Sequence, residues 1–283
     1  MPKFDLAKCV IGVDIDFTEV CFVFTRGLLM LARVIASVTN GDPHTIQEEY
    51  ELISRQIIAK NPWWIDRIKK VFDQHIHCEN VRLDECQWST AARFLLYFEE
   101  RGLDPRLLYS KAVEAESAFW TGVGEESFLY EDAHHFRSIL RELQLPVFGL
   151  TSSDARTRFQ PDIGAYGRIV YEVEHSIAMK HHRLAPSGIF DLIPQCDVIV
   201  SDPWRKEDRE LWEKCVFPRY SDRPDRDHWV FVGDTIYDMH AALVADVGTR
   251  IFLARHAHTD QPAEATHTAH SLTEAAAIIR SLF

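Results

Sequence analysis

The chain has 283 residues, of which 46% are hydrophobic and 26% charged, and it carries a net charge of -12 at pH 7. This composition is typical of a globular protein, and the acidic balance argues against a nucleic-acid partner, whose phosphates would need a basic face. No apolar run approaches the ~18 residues of a membrane-spanning helix, and the six cysteines include no CxxC pair, so we expect a cytoplasmic protein with reduced thiols and no membrane partner.

The first predicted element is a short buried strand, in which the apolar run Val10–Val13 leads directly into Asp14 and then Asp16. Apolar runs of this kind are typical of parallel strands that are covered on both faces. Open α/β sheets bind ligands at the carboxyl ends of their strands. We therefore expect Asp14 and Asp16 at such an edge, where two close carboxylates require a cation or a shared proton.

The region from residue 26 to 125 predicts a helical domain. A short β-like run, Val20–Phe24, precedes it, and apolar residues recur with helical spacing from Gly27 onward. Because no strand alternation interrupts this span, we predict an all-helical cap domain at 26–125, inserted after the first strand. Residues 1–25 and 126–283 would then form the core domain. An Asp-Pro or Asn-Pro pair marks the start of three of the predicted cap helices, at Pro43, Pro62 and Pro105.

Strands and helices alternate through the remainder of the chain. The alternation predicts a doubly wound parallel sheet with right-handed crossovers, which is a Rossmann-like α/β core. A less regular stretch, 155–195, separates the second core strand from the third. The predicted elements are a helix at 131–143, strands at 145–150 and 197–202, a helix at 206–216, a strand at 229–234, a helix at 237–244, a strand at 250–253 and a capped helix at 271–283.

Several predicted strand ends carry side chains suited to chemistry. If the strands are parallel and adjacent, these side chains converge on one edge of the sheet. A cluster of carboxylates there suits Mg²⁺, which binds one or two carboxylates together with waters and phosphate oxygens. A lysine and hydroxyl groups suit the remaining oxygens of a phosphoryl group. The side chains are Asp14 and Asp16, Thr151 and Ser152, Asp234 and Asp238, and Lys206 at a helix start.

Purely structural roles compete with these assignments. Asp234 and Asp238 also suit a turn followed by the first turn of a helix, where acidic residues are favoured. Thr151 and Ser152 equally suit a cap for the next helical element.

Four segments, in this order, resemble the four motifs of the haloacid dehalogenase superfamily. The motifs are Asp-x-Asp-x-Thr after an apolar strand, an apolar strand that ends in Thr or Ser, a lysine, and Gly-Asp-x-x-x-Asp. A helical block between the first and second motifs also matches the superfamily's first cap type, and the resemblance spans residues 10–253. The matching segments are Asp14-Ile15-Asp16-Phe17-Thr18, Leu150-Thr151-Ser152, Lys206, and Val232-Gly233-Asp234-Thr235-Ile236-Tyr237-Asp238.

The resemblance implies a Mg²⁺-dependent phosphatase that acts on a small phosphorylated metabolite. Asp14 would be the nucleophile and form an aspartyl-phosphate. Asp16 would be the general acid for the leaving group and then the general base for water. Thr151, Ser152 and Lys206 would bind the phosphoryl oxygens. The Mg²⁺ ion would be held by Asp14, the backbone carbonyl of Asp16 and Asp234, with Asp238 either binding the ion directly or contacting one of its ligands.

Several alternatives compete with this interpretation. Lys180 could replace Lys206 as the phosphate-binding lysine, although only Lys206 lies directly after a predicted strand. A phosphomutase could use the same site. A catalytically silent metabolite-binding protein is a third possibility, because Phe17 stands where the superfamily often has a small residue. Dehalogenation is disfavoured, since that chemistry needs no metal and would leave the additional carboxylates without a use.

Overall fold

The computed structural model describes residues 4–58, 77–79, 97–98, 100–104, 111–154, 158–160, 168–170, 172–255 and 261–283. The chain divides into two compact units. The first unit comprises Met1–Phe22, Ser127–Ser153 and Leu184–Phe283, and the second comprises Val23–Glu126 and Asp154–Arg183. The second unit therefore draws on two separate segments of the chain, and it includes residues 154–183, which lie outside the predicted cap boundaries of 26–125.

The helices and strands alternate along the chain much as the apolar patterns predict. In chain order, the strands are β1 Ile11–Asp14, β2 Val20–Cys21, β3 His77–Glu79, β4 Phe128–Leu129, β5 Val147–Thr151, β6 Arg158–Gln160, β7 Arg168–Val170, β8 Val198–Val200, β9 Val230–Gly233, β10 Thr249–Leu253 and β11 His267–Ala269. The described α-helices are α1 Thr25–Thr39, α2 Pro43–Ile58, α3 Ala112–Glu126, α4 Glu131–Glu142, α5 Val173–Leu184, α6 Arg209–Leu211, α7 Ile236–Val244 and α8 Leu272–Ser281. Among these helices, none combines the length and the apolar character that crossing a bilayer requires.

The first unit is built on a six-stranded sheet in the order β11-β10-β9-β1-β5-β8. Every neighbouring pair in this sheet is parallel, which confirms the predicted α/β core. Alternate residues of the first strand face opposite sides. Ile11 packs in a cluster with Phe136 of α4, whereas Val10, directly before the strand, packs in another with Phe231 and Met239. The sheet is therefore covered on both faces, as buried parallel strands require.

Strands β2 and β4 form a separate two-stranded sheet. Strand β2 pairs antiparallel with β4, so that Val20 lies opposite Leu129 and Cys21 opposite Phe128. The β-like run predicted from Val20 is confirmed as a strand, although the strand is only two residues long.

The second unit contains helices and a small three-stranded sheet. Strand β7 pairs in parallel with β3 and antiparallel with β6. Helix α1 packs closely against α3 through two glycines. Gly122 lies so near the backbone of Gly27 that a β-carbon on Gly122 would collide with it. This sheet corrects the expectation of an all-helical domain. Each strand has three residues and β3 pairs with a segment some ninety positions away, at 168–170, so no local alternation of apolar residues reveals it.

The register of the six-stranded sheet aligns the carboxyl ends of its central strands. Val13 lies opposite Val232 of β9, and Asp14 lies opposite Leu150 of β5. The residues that follow these positions leave the sheet at one edge, which is the arrangement that the sequence predicts for a ligand site.

Candidate active site

Three carboxylates from different parts of the sequence meet at this edge. Asp14 is the last residue of β1, Asp234 directly follows β9, and Asp238 lies in the first turn of α7. One carboxylate oxygen from each lies within 4.8 Å of those from the other two. Asp14 and Asp238 are buried, with 2% and 1% of their surfaces exposed, and Asp234 is half-buried. Of the four aspartates expected at the metal site, three therefore meet in one cluster.

Lys206 brings a positive charge into this carboxylate cluster. Its ammonium group forms ion pairs with Asp14 and, at 2.8 Å, with Asp238. Lys206 lies in a turn between β8 and α6. The helix predicted to start at residue 206 begins instead at Arg209. The indole N–H of Trp212 donates a 2.9 Å hydrogen bond to the Lys206 carbonyl and helps to fix that turn.

Lys180, the alternative phosphate-binding lysine, belongs to the second unit. Its ammonium group forms an ion pair with Asp154 at 2.7 Å, and the guanidinium group of Arg183 contacts the same carboxylate. Within the first unit the ammonium group of Lys206 pairs with Asp14, and the choice of Lys206 over Lys180 stays a prediction.

Thr18 is a site residue for which the sequence analysis predicts no separate role. Its hydroxyl group is fully buried and lies 3.0 Å from an oxygen of Asp234 and 3.3 Å from an oxygen of Asp14. The hydroxyl therefore spans the two carboxylates. Its signal in the sequence is its position as the last residue of the Asp-x-Asp-x-Thr segment, two residues after Asp16.

Asp16 lies at the start of the tight turn that carries Thr18. In this turn the Phe17 N–H donates to the Val20 carbonyl at 2.8 Å, and Asp16 itself forms a bridge with Val20. Asp16 is half-buried, whereas Phe17 is exposed. Phe17 has a φ of 58°, a left-handed conformation that is costly for a bulky residue. Its ring packs on that of Phe22 at 4.4 Å between centroids.

Asp238 has two roles in the structure. One oxygen accepts hydrogen bonds from the Thr235 N–H at 3.1 Å and the Thr235 hydroxyl at 2.6 Å, while the Asp238 N–H donates back to that hydroxyl. This reciprocal pair is a capping box at the start of α7. The other oxygen of Asp238 accepts from Lys206, so the same carboxylate caps a helix and orients the lysine.

Thr151 and Ser152 end the strand next to β1. Thr151 is fully buried and Ser152 is exposed. The Thr151 hydroxyl has a 3.5 Å contact with the Ser152 carbonyl. Within the described part of the chain, no hydrogen bond connects either residue to Asp14 or Lys206, so their assignment to phosphate binding stays a prediction.

Burial and crowding perturb the charged groups of the cluster. Desolvation, followed by the nearby charge of Asp238, raises the pKa of Asp14 well above its ordinary value, although Lys206 opposes this shift. The same two causes raise the pKa of Asp234. Burial tends to lower the pKa of Lys206, but the carboxylates of Asp14 and Asp238 outweigh it and raise that pKa. The raised pKa of Lys206 favours its charged form between the carboxylates of Asp14 and Asp238.

The donor set of this cluster fits a hard divalent cation. One carboxylate oxygen of Asp14 lies within 4.8 Å of one from Asp234, and two ionised carboxylates this close repel each other unless they share a proton or a cation. Carboxylate oxygens are the ligands that Mg²⁺ prefers. One ammonium group does not neutralise three carboxylates, so the cluster can accept further positive charge.

Known proteins resemble this chain in structure rather than in sequence. No protein-family model matches the chain, and no curated protein is significantly similar to it. The protein YfnB from Bacillus subtilis, described as a HAD-hydrolase and solved with bound magnesium, is 18% identical, with 95% of this chain and 97% of that chain covered and a TM-score of 0.56.

Another solved structure points to the same fold. A haloacid dehalogenase-like family hydrolase from Xanthomonas campestris is 12% identical, with 98% of this chain and 92% of that chain covered and a TM-score of 0.51. These similarities extend over nearly the whole of each chain. The chain therefore has the fold of the haloacid dehalogenase-like hydrolases.

Proposed function

We propose that this protein is a Mg²⁺-dependent phosphatase that hydrolyses a small phosphorylated metabolite through an aspartyl-phosphate on Asp14. The observation that carries the proposal is the buried cluster of Asp14, Asp234 and Asp238, in which Lys206 contacts both Asp14 and Asp238. Such a site pairs a nucleophile with groups that neutralise a phosphoryl anion. The bound magnesium of YfnB, which has the same fold, supports the choice of metal.

The chain's own residues would share the chemistry as follows. An oxygen of Asp14 attacks phosphorus as the bond to the leaving group breaks, and Asp16 gives a proton to the departing oxygen. Water then attacks the phosphorus of the aspartyl-phosphate while Asp16 accepts a proton from that water. Inorganic phosphate leaves as its bond to Asp14 breaks. Lys206 holds the phosphoryl oxygens, and Asp238 keeps the ammonium group of Lys206 in place.

The metal would be held by Asp14, the backbone carbonyl of Asp16, Asp234 and Asp238. When bound, Mg²⁺ supplies positive charge that offsets the repulsion between an anionic nucleophile and an anionic phosphoryl group. Thr151 and Ser152, which follow the neighbouring strand, would bind the remaining phosphoryl oxygens.

A phosphate-release assay with the full chain tests this proposal. The wild-type protein is incubated with a panel of small phosphomonoesters, with Mg²⁺ or with a chelator. We expect release that depends on Mg²⁺ and that Asp14→Asn lowers by at least about 10³-fold. The matched control is Asp222→Asn, because that carboxylate is 78% exposed, and it should keep the wild-type rate. Release by Asp14→Asn at the wild-type rate would refute the nucleophile assignment.

A second measurement separates hydrolysis from the alternatives. Beryllium fluoride with Mg²⁺ mimics the phosphoryl group on an aspartate, and its binding can be followed by fluorine NMR. Binding that Asp14→Asn abolishes, together with turnover, supports a phosphatase. Binding without turnover on any ester would favour a catalytically silent metabolite-binding protein, which is the alternative suggested by the bulky side chain of Phe17. Transfer of the phosphoryl group between positions of a substrate, without release, would favour a phosphomutase.

A further inference from the structure

The backbone carbonyl of Thr18 is held by a side chain from a distant strand end. Arg255 lies two residues after β10, and its guanidinium group donates a 2.9 Å hydrogen bond to the Thr18 carbonyl. The hydroxyl of the same Thr18 spans Asp14 and Asp234. A single threonine thus connects Arg255 to two of the three clustered carboxylates.

Arg255 is itself fixed from several directions. It donates two hydrogen bonds to Asp132 of α4, at 2.9 and 3.2 Å. Its guanidinium carbon lies 3.9 Å from the centroid of the Tyr130 ring, which is within the range of a cation–π contact. Asp132 also accepts a 2.7 Å hydrogen bond from the N–H of Leu272, the first residue of α8. Paired and stacked in this way, the planar guanidinium group has little freedom to move.

The rest of the turn from Ile15 to Val20 is held by main-chain bonds. The Ile15 carbonyl accepts from the N–H groups of Glu19 and Val20, at 3.0 and 2.9 Å. The Glu19 carbonyl accepts from the Tyr130 N–H at 3.0 Å. Thr18 therefore differs from these neighbours, because the group that fixes its carbonyl is a side chain that a substitution can remove.

We propose that Arg255 is a positioning residue for the metal site, which it keeps assembled by fixing the Thr18 carbonyl and, through it, the hydroxyl between Asp14 and Asp234. The inference rests on the proposed function, since it assigns Arg255 an effect on Mg²⁺ binding. Groups that orient metal ligands commonly change metal affinity or activity by about 10–100-fold when they are replaced. Arg255 would act in this way without touching the metal or the substrate.

Magnesium binding, measured directly by calorimetry and by thermal shift, provides a readout that does not depend on turnover. Arg255→Lys keeps the charge but loses the planar fork that reaches Asp132 and Thr18 together. We expect this variant to bind Mg²⁺ about tenfold more weakly than the wild type. At saturating Mg²⁺ its kcat should return to within about threefold of the wild-type value, because no catalytic group has been removed. Asp132→Asn should weaken Mg²⁺ binding in the same direction.

A double-mutant cycle tests whether the effect passes through Thr18. Thr18→Val removes the hydroxyl group with little change in shape. In the Thr18→Val background, Arg255→Lys should weaken Mg²⁺ binding by less than about threefold, since contacts that share one partner are not additive. The matched control is Arg223→Lys. Arg223 donates to the Cys9 carbonyl at 2.7 Å, before β1 at the opposite edge of the sheet, so this variant should bind Mg²⁺ as the wild type does.

The outcomes separate this inference from the proposed function. Failure of the wild-type protein to bind Mg²⁺ would refute the proposed function and the inference with it. Mg²⁺ binding by the wild type with an unchanged dissociation constant in Arg255→Lys would overturn the inference alone. An equal loss of Mg²⁺ affinity in Arg255→Lys and Arg223→Lys would show that Arg255 has only a general stabilising role. Full additivity of Arg255→Lys with Thr18→Val would show the same, and either result would overturn the inference.

Discussion

The side chain of Asp238 lies directly against Gly233, so close that a β-carbon on residue 233 would collide with it. This glycine lets the carboxylate that caps α7 reach back over the end of β9 toward Lys206. The absence of a side chain at this position is therefore part of the geometry of the site.

Gly233→Ala should displace Asp238 from its contact with Lys206. We expect a loss of at least about tenfold in phosphate release, and a loss of about 1–3 kcal/mol in stability from overpacking. Steady-state assays and chemical denaturation measure the two effects. The control is Gly102→Ala, because a β-carbon there meets nothing within 4 Å, although Gly102 has a φ of 62°. That variant should lose only about 1 kcal/mol and no activity. Wild-type activity in Gly233→Ala would contradict the prediction.

Lys206→Met should be both inactive and unstable. The substitution removes the cation from two buried carboxylates, and breaking a buried ion pair on one side commonly costs about 3–5 kcal/mol. Added Mg²⁺ should restore part of this stability, because it supplies the missing positive charge. Thermal melting with and without Mg²⁺ tests both statements. Lys8→Met provides the comparison, since its ion pair with Asp225 is exposed and exposed pairs contribute little to stability. Equal effects of the two substitutions would count against the role of Lys206.

Glu116 should make the stability of the protein depend on pH. This residue of α3 is buried, and desolvation raises its pKa from 4.5 to about 8. The folded protein therefore retains a proton that the unfolded chain has released, so stability should fall as the pH rises from 4.5 to 8, by at most about 1.4 kcal/mol per pH unit. Glu116→Gln removes the titrating group and should flatten this slope. Urea denaturation at several pH values measures how the free energy of unfolding changes with pH. The control is Glu114→Gln, because the Glu114 side chain is 54% exposed. Equal slopes in wild type and Glu116→Gln would refute the prediction.

Phe17→Gly should change stability little, because two effects oppose each other. Glycine relieves the left-handed backbone conformation, which costs a bulky residue about 1–2 kcal/mol, but the packing of the ring on Phe22 is lost. Gln144 also has a positive φ, of 54°, and it is exposed. Gln144→Gly should therefore stabilise the protein by about 1 kcal/mol, and the difference between the two variants measures the Phe17–Phe22 contact. A larger gain from Phe17→Gly than from Gln144→Gly would show that the aromatic contact contributes nothing.

The core sheet and most of the site could be predicted because their signals are local. The apolar runs before Asp14, Thr151 and Asp234 predict buried strands, and parallel strands bring their carboxyl ends to one edge. Lys206 could be preferred to Lys180 on the same ground, since it follows a strand directly. The structure confirms the parallel sheet and places Asp14 and Asp234 in one cluster beside Lys206, while the roles of these residues stay predictions.

Other features depend on contacts that no local pattern carries. Arg255 follows a predicted strand like many surface arginines, and only the folded chain shows its hydrogen bond to Thr18, 237 positions away. The same holds for the sheet of the second unit, in which β3 pairs with β7 some ninety positions away. The capping box of Thr235 and Asp238 shows that a structural role and a site role can coincide, although the sequence presented them as alternatives.

The second unit consists of two segments, Val23–Glu126 and Asp154–Arg183, and this arrangement constrains how the protein can be made and engineered. A nascent chain that has emerged only as far as β5 still lacks the residues that complete the second unit, so that unit cannot finish folding before the ribosome has passed Arg183. Deleting 23–126 alone would leave 154–183 without the partners on which they fold. A chimera that exchanges the second unit with that of a relative must therefore transplant both segments together.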